Sequence, residues 1–319
     1  MRGHFLRPAR AGRTPSVGRA AHPIGIACLI NSAHPGLDNR GHRCVSSRGG
    51  TAFHQGARMT ASTAWTDTAI TVAGTKMHVS RGGSGRALLV LHHDIGTPDR
   101  LSFYDRLAQH CTVLLPHHPG WGQSERPQWL RSVRDVAAMH QWLLAELRID
   151  DCALLGLGFG GWIAAEMASL SPRQFHRLVL VGAHGIKPPE GDILDQAIVS
   201  YIAYPQAGFH HLDAFRLIYG DVSTDQLEQW DIAREMCFRI AWKPYMYSQS
   251  LPHLLGGIRA PALVVWGDDD RIVPRSAGDA YAKALRDARL EIVRDCGHFV
   301  DMEKPDELAN LVLPFVTTS

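Results

Sequence analysis

No run in this 319-residue chain approaches the ~20 consecutive apolar residues of a membrane-spanning helix, so no such span is expected. Cysteine is sparse. Six are present, none in C-x-x-C spacing, which excludes a zinc knuckle or a thioredoxin-like motif. Cys111 and Cys152 sit just before or at the start of apolar runs, where a thiol is expected to be a small buried hydrophobe, and reduced thiols in a cytoplasmic body are expected. Strong net charge is also missing, since the formal total is only +2. That balance conceals two regions. Residues 1–58 hold nine arginines, no lysine and one acid, Asp38, for a net +8, whereas residues 59–319 carry a net −6. The first region is rich in Arg, Gly and Ala, has no sustained period and is expected to be disordered. It reads as a transit peptide, as a basic arm for an acidic partner, or as sequence upstream of a true start at Met59. The last reading is preferred because recognisable structure begins just after Met59.

Residues 59–319 are long enough for one large domain with a sizeable core. Residues 68–72 and 76–80 alternate as a hairpin pair. Short apolar runs follow at Ala87–Leu91, Val113–Leu115, Ala153–Leu157, Leu178–Val181 and Ala262–Trp266, as expected of buried parallel strands. Arg289–Val293 alternates more and is expected nearer an edge. Helical stretches lie between them at 101–109, 132–147, 162–170, 276–285 and 305–315. This alternation predicts an α/β fold with a doubly wound, mostly parallel sheet and an antiparallel start. Residues 186–255 break the pattern. They read as helices rich in Tyr, Phe and Trp, and are expected to form a helical cap over the carboxyl edge of the sheet, where α/β ligands bind. Several of these aromatics are expected to line an apolar pocket.

The most consequential absence lies in Leu154–Trp162, which reads LLGLGFGGW. An apolar run ends in alternating glycines and passes into an apolar helical stretch, which is the strand–sharp turn–helix setting of a G-x-S-x-G nucleophile elbow. Glycines there let the turn adopt a strained conformation and let strand and helix approach. The centre, where Ser, Cys or Asp would attack, is Gly158.

Four motifs together resemble the α/β-hydrolase family over about residues 65–317. Leu88–His93 (LLVLHH) looks like the strand ending in His-Gly that opens the oxyanion loop. Pro119–Ser124 (PGWGQS) looks like the P-G-x-G-x-S turn, and Gly156–Gly160 looks like the elbow. Val265–Pro274 (VWGDDDRIVP) and Gly297-His298-Phe299 look like the acid and histidine loops. The nearest resemblance is to capped members such as meta-cleavage-product hydrolases. It implies Asp270 as the acid that orients and stabilises His298, the base. Asp268 and Asp269 are adjacent alternatives; the resemblance favours Asp270, because the family's acid directly precedes a segment like Arg271-Ile272-Val273. The backbone N–H groups of Asp94 and Phe159 are implied as oxyanion donors. His93, Trp162, Trp230 and Trp242 are the expected substrate contacts.

The departures from the family pattern concern chemistry. Gly158 excludes a covalent intermediate at that position. His93 stands where the pattern has Gly, and an Asp94 carboxylate beside the site would oppose an oxyanion unless it points away or is neutral. His93, His117, His118, His184 and His298 are all positioned in the sequence so that they could approach the carboxyl edge. They show no local ligand spacing such as H-x-x-x-H, so no metal and no cofactor are expected. Cys296 and Ser124 are other conceivable nucleophiles, but packing under a loop and turn hydrogen bonding are their more ordinary roles.

Three functions stay open. The first is a hydrolase or lyase acting on a small, mostly apolar carbonyl substrate through an Asp-His general base, without a serine intermediate. The second is a non-catalytic ligand-binding or scaffold pseudo-hydrolase. The third is an ordinary serine hydrolase read from an altered copy. The expected partner is a small molecule, with no nucleic acid and no membrane; a homodimer is left open.

Overall fold

The computed structural model describes residues 64–98 and 101–318, so the expectation for residues 1–58 lies outside the described residues. Two antiparallel strands come first, β1 (Trp65–Val72) and β2 (Thr75–Gly82). Val72 pairs directly with Thr75, so the turn is Ala73-Gly74, both with positive φ (49° and 74°). That is the geometry of a two-residue hairpin whose twist matches its strands. Six further strands follow: β3 (Ala87–Leu91), β4 (Thr112–Pro116), β5 (Cys152–Leu157), β6 (Phe175–Val181), β7 (Ala262–Gly267) and β8 (Ala288–Val293). They form one sheet in the order β1-β2-β4-β3-β5-β6-β7-β8, parallel from β4 to β8. Every residue of β4, β5 and β7 is buried, so both faces of the sheet are covered, and such strands read as unbroken apolar runs. β8 lies at the edge, where its outer residues stay partly exposed and its sequence alternates.

Helices α1 (Ser102–Ala108) and α10 (Pro305–Thr317) pack together, as do α2 (Val133–Glu146) and α3 (Phe159–Leu170). α8 (Ser276–Ala284) covers β7 and β8. Ser132 starts α2 with a capping box, its side chain accepting from the Asp135 N–H while Asp135 accepts in return. Between β6 and β7 all named elements are helical: α4 (Ala203–Ala207), α5 (Leu212–Tyr219), α6 (Thr224–Ala241) and α7 (Leu251–Leu254). This segment rests on the loops at the carboxyl ends of the strands. Phe209 packs on Phe299 with ring centroids 5.3 Å apart, and the His210 and His211 N–H groups donate to Glu303. Among the described residues no helix is long and apolar enough to cross a membrane.

Candidate active site

The elbow is built as its glycines require. Gly158 sits between β5 and α3 with φ 52° and ψ −113°, a conformation that L side chains rarely adopt. Its N–H donates to the Val181 carbonyl and its carbonyl accepts from the His184 N–H, so the turn is tied to β6 and the loop that follows it. At Gly160 a Cβ would collide with the carbonyls of Leu91 and His92, so its absence lets α3 abut the end of β3. Phe159 opens α3, and a first-turn amide has no acceptor inside its own helix, which leaves it free for an anion.

Loops after three different strands deliver the side chains. From the loop after β7, Asp270 accepts from the Ile272 and Val273 N–H groups with Oδ1 (2.9 and 2.8 Å) and meets His298 Nδ1 with Oδ2 (2.8 Å). Asp269 instead pairs with His210 (2.8 Å) and Arg271, and Asp268 accepts from the Cys296 N–H. The geometry therefore selects Asp270 from the three adjacent acids. His298 and the Asp270 carboxylate are fully enclosed. Burial acts to lower the His298 pKa, but the combined carboxylates of Asp270, Asp94 and Asp301 outweigh it and the net shift is upward.

A second buried pair stands opposite. His93, in the loop after β3, places Nε2 2.8 Å from Oδ1 of Asp301 in the short helix α9 (Val300–Glu303), and neither side chain is exposed. Its Nδ1 has no partner and faces Gly158, as does the unpartnered Nε2 of His298; the two rings lie 5.4 Å apart. A Cβ built on Gly158 would stand closer to His93 Nδ1 than van der Waals contact allows, and 2.9 Å from His298 Nε2. The imidazole of His93 thus borders the volume that a nucleophile's side chain would use.

Asp94 completes the group. Its Oδ2 accepts from Gln196 Nε2 (2.5 Å), its Oδ1 is buried without a partner, and its carbonyl accepts from Trp121 Nε1 (2.7 Å). One donor atom each from His93, Asp94 and His298 lie within 4.8 Å of one another. The carboxylate therefore points into the site instead of away from it, which disfavours an oxyanion beside the Asp94 N–H. His93 and Asp94 share the loop after β3 and His298 lies in the loop after β8, so their proximity is not registered by local ligand spacing in the sequence. Tyr204, with its hydroxyl unpartnered, is pushed up by burial and then by the Asp94 carboxylate.

The remaining candidates divide. Trp230 is buried in α6 against Tyr219, with its indole N–H unpartnered. Trp162 is buried, but its indole donates to Glu166 and it lines a separate cavity of about 400 Å³ with Ile240, Tyr247 and Ser250. Trp242 does not join the site either. It is 47% exposed at the end of α6, in edge-to-face contact with Phe238 and Tyr245, because the amphipathic helix turns it outward. Cys296 is fully buried, and burial pushes its thiol up, away from the nucleophilic thiolate. Ser124 accepts from the His78 N–H and donates to the His117 carbonyl, a turn-holding role.

Sequence reasoning missed Asp301, Gln196 and His140. Asp301 follows His298 by three residues, and that spacing is the available signal. His140 lies on the buried stripe of α2 that also carries Val136, Ala137, Leu143 and Leu144. His118, expected near the chemistry, is instead part of a buried ladder with His92 and His140. His92 Nδ1–H donates to the His93 carbonyl and Nε2 accepts from the His118 N–H. His118 Nε2–H donates to the His92 carbonyl, so its Nδ1 accepts from His140 Nε2–H. His92 and His118 have both ring nitrogens partnered as neutral tautomers, His140 has Nε2 partnered and Nδ1 without a partner, and together the rings pin the loop that presents His93 and Asp94. Burial, helped by His92, lowers His140 to about 3; His118 and His92 are also held well below 6.5, chiefly by burial.

Unfolded histidines take up protons near pH 6.5, whereas His140 in the fold does so only near 3. Stability is therefore expected to fall as pH drops through that window, by up to about 1.4 kcal/mol per pH unit for each such ring. His140→Gln keeps a donor toward His118 and should flatten the slope by about that amount. Urea melts at pH 7, 6 and 5 measure it, and identical slopes for the two proteins would contradict a neutral ladder.

The sequence model of the Alpha/beta hydrolase family matches residues 88–311. The chain is 30% identical over 268 residues to a 2-hydroxy-6-oxononadienedioate/2-hydroxy-6-oxononatrienedioate hydrolase of Klebsiella pneumoniae, covering 76% of this chain and 91% of that protein. It is 28% identical over 272 residues to a 2-hydroxymuconate semialdehyde hydrolase of a Pseudomonas species, covering 77% and 92%. Among solved structures, a meta-cleavage product hydrolase from Pseudomonas fluorescens superposes with a TM-score of 0.66 at 20% identity, covering 78% of this chain and 96% of that one.

Proposed function

The chain belongs to the alpha/beta hydrolase family, and from that premise we propose that it cleaves a small, mostly apolar substrate at an activated carbonyl, with water as the attacking species and no covalent intermediate on the protein. The observation that carries this reading is the retained, fully enclosed Asp270–His298 pair beside Gly158, a position with no side chain. Asp270 takes the Nδ1–H of His298, so the Nε2 lone pair faces the space beside Gly158 and can draw a proton from water. The Phe159 N–H, opening α3, is the donor placed for the carbonyl oxygen. A positioned base supplies ~10²–10⁴-fold and one oxyanion donor about 10²–10³-fold. Those factors suit a β-diketone or a vinylogous acid better than an unactivated amide. The relatives' 2-hydroxy-6-oxo-dienoate substrates are of the activated kind, which supports the same class here. The helices between β6 and β7 serve as a cap, with Trp230 and Tyr204 turned toward the substrate.

The test pairs turnover with labelling. Ring-fission-type dienoates and β-diketones are expected to be consumed, while a fluorophosphonate probe leaves the protein unlabelled at any serine. Stoichiometric labelling that also stops turnover would sink the non-covalent reading. A ligand-binding role is the second reading, favoured by the Asp94 carboxylate lying where an oxyanion would form. Saturable binding of such compounds with a raised Tm and no turnover across the panel would select it.

A further inference from the structure

We propose that His93, Asp94 and His298 form a binding site for a first-row divalent transition-metal ion, seated beside the Cα of Gly158. The donor atoms carry the argument. His93 commits Nε2 to Asp301 and His298 commits Nδ1 to Asp270, so each neutral ring turns a lone pair toward the other. Asp94 adds Oδ1, while Gln196 holds its Oδ2. One ligand atom each from His93, a carboxylate oxygen of Asp94 and His298 thus lie within 4.8 Å of one another, and His93 Nδ1 and His298 Nε2 have no hydrogen-bond partner. Buried acceptors left together without a donor are costly, and a cation satisfies all three at once.

The charges point the same way. Asp94, Asp270 and Asp301 place three enclosed carboxylates around two imidazoles, and no lysine or arginine is among the buried polar residues described. Two positive charges from an ion would offset most of that excess. A carboxylate behind each imidazole is also the arrangement that fixes the tautomer and raises the basicity of metal-bound histidines. Two nitrogens and one carboxylate oxygen suit Zn²⁺, Fe²⁺, Mn²⁺ or Co²⁺ more than Mg²⁺ or Ca²⁺, and three protein ligands leave positions open for water or substrate. His184, 5.3 Å from His298 between ring centroids and with both ring nitrogens unpartnered, borders the site.

Gly158 then acquires a reason. The point where its Cβ would stand lies between His93 Nδ1 and His298 Nε2, in the space an ion needs. A side chain and an ion exclude each other there. The inference shares with the proposed reaction the absence of a side-chain nucleophile, and changes one role within it. With an ion bound, His298 Nε2 would serve as a ligand instead of a base, and the ion would supply the attacking hydroxide by lowering the pKa of a held water toward about 7, the released proton passing to solvent.

The full chain, stripped with dipicolinate, is titrated without substrate with ZnCl₂, MnCl₂ and, anaerobically, ferrous sulfate. Calorimetry and metal content after gel filtration are the readouts. One ion per chain is expected for at least one metal, at micromolar Kd or tighter. Asp94→Asn and His93→Gln should each weaken binding by about 100-fold or more. Gly158→Ala, which keeps all three donors but fills the space, should do the same, whereas exposed His253→Gln should bind as the parent does. Near-UV circular dichroism identifies any variant that fails to fold, and the remaining variants decide. Fewer than about one ion per ten chains with all three metals, or parent-like affinity in the folded variants, overturns the site. Because no substrate is present, these outcomes leave the hydrolysis reading to its own assay, and metal binding without turnover overturns only that reading.

Discussion

Replacing His298 by Ala is expected to lower kcat/KM for an activated carbonyl substrate by about 10²–10⁴-fold, that is, about 3–5 kcal/mol of transition-state stabilisation. None of the side-chain nucleophiles considered can take over. Cys296 is a buried thiol pushed up by burial, Ser124 is spent in its turn, and Gly158 has no side chain. His93 Nδ1 reaches the same space, and His93→Gln in the His298→Ala background measures any base activity it supplies. His298→Gln fills most of the vacated volume and separates lost chemistry from lost packing. Both variants should bind substrate with KM changed far less than kcat. Wild-type turnover in either would remove the base from the mechanism.

Asp270→Asn sharpens the same point. Oδ1 of Asp270 accepts from two backbone N–H groups, so the amide oxygen of Asn must remain there. The amide NH₂ would then face His298 Nδ1 and force it to accept. The proton moves to Nε2, the nitrogen that faces Gly158, and the base is lost with the geometry intact. A fall in kcat comparable to that of His298→Gln is expected, with little change in Tm.

Strands were legible in the sequence because most are buried on both faces and read as unbroken apolar runs, while β8 at the edge alternates and was recognised as such. The preference for Asp270 over its neighbours rests on the resemblance, in which the acid directly precedes a segment like Arg271-Ile272-Val273, and in the fold Ile272 and Val273 of that segment supply the two N–H groups that hold it. The His93–Asp301 pair was not legible, since its members are 208 positions apart and meet only once the loops after β3 and β8 are brought together. The histidine ladder escaped for a similar reason. His140 lies on an apolar helical stripe, where periodicity suggests core and says nothing of the ring that receives its proton. The convergence of His93, Asp94 and His298 also depends on side-chain direction, because Asp94 could equally have pointed outward.

That convergence makes two departures from the family pattern a single structural fact, and a restoration experiment follows from it. Gly158→Ser alone is expected to give no measurable esterase activity and to cost about 2–6 kcal/mol, through a strained φ and an overpacked neighbour. The φ of 52° would be imposed on a residue with a side chain, and its Cβ would collide with His93 Nδ1. Pairing it with His93→Gly removes the obstructing ring, and the backbone tolerates the change because His93 is not among the residues with positive φ. The new Oγ would then lie within reach of His298 Nε2, with Asp270 behind it, and the Phe159 N–H beside the scissile carbonyl. The double variant should hydrolyse p-nitrophenyl acetate at least about 10²-fold faster than either single variant and become labelled by a fluorophosphonate. Asp94→Asn added to the pair should raise the rate again, because the carboxylate that opposes an oxyanion is then neutral. Activity in Gly158→Ser alone, equal to that of the pair, would show that His93 yields freely and that its ring does not exclude a nucleophile from the elbow.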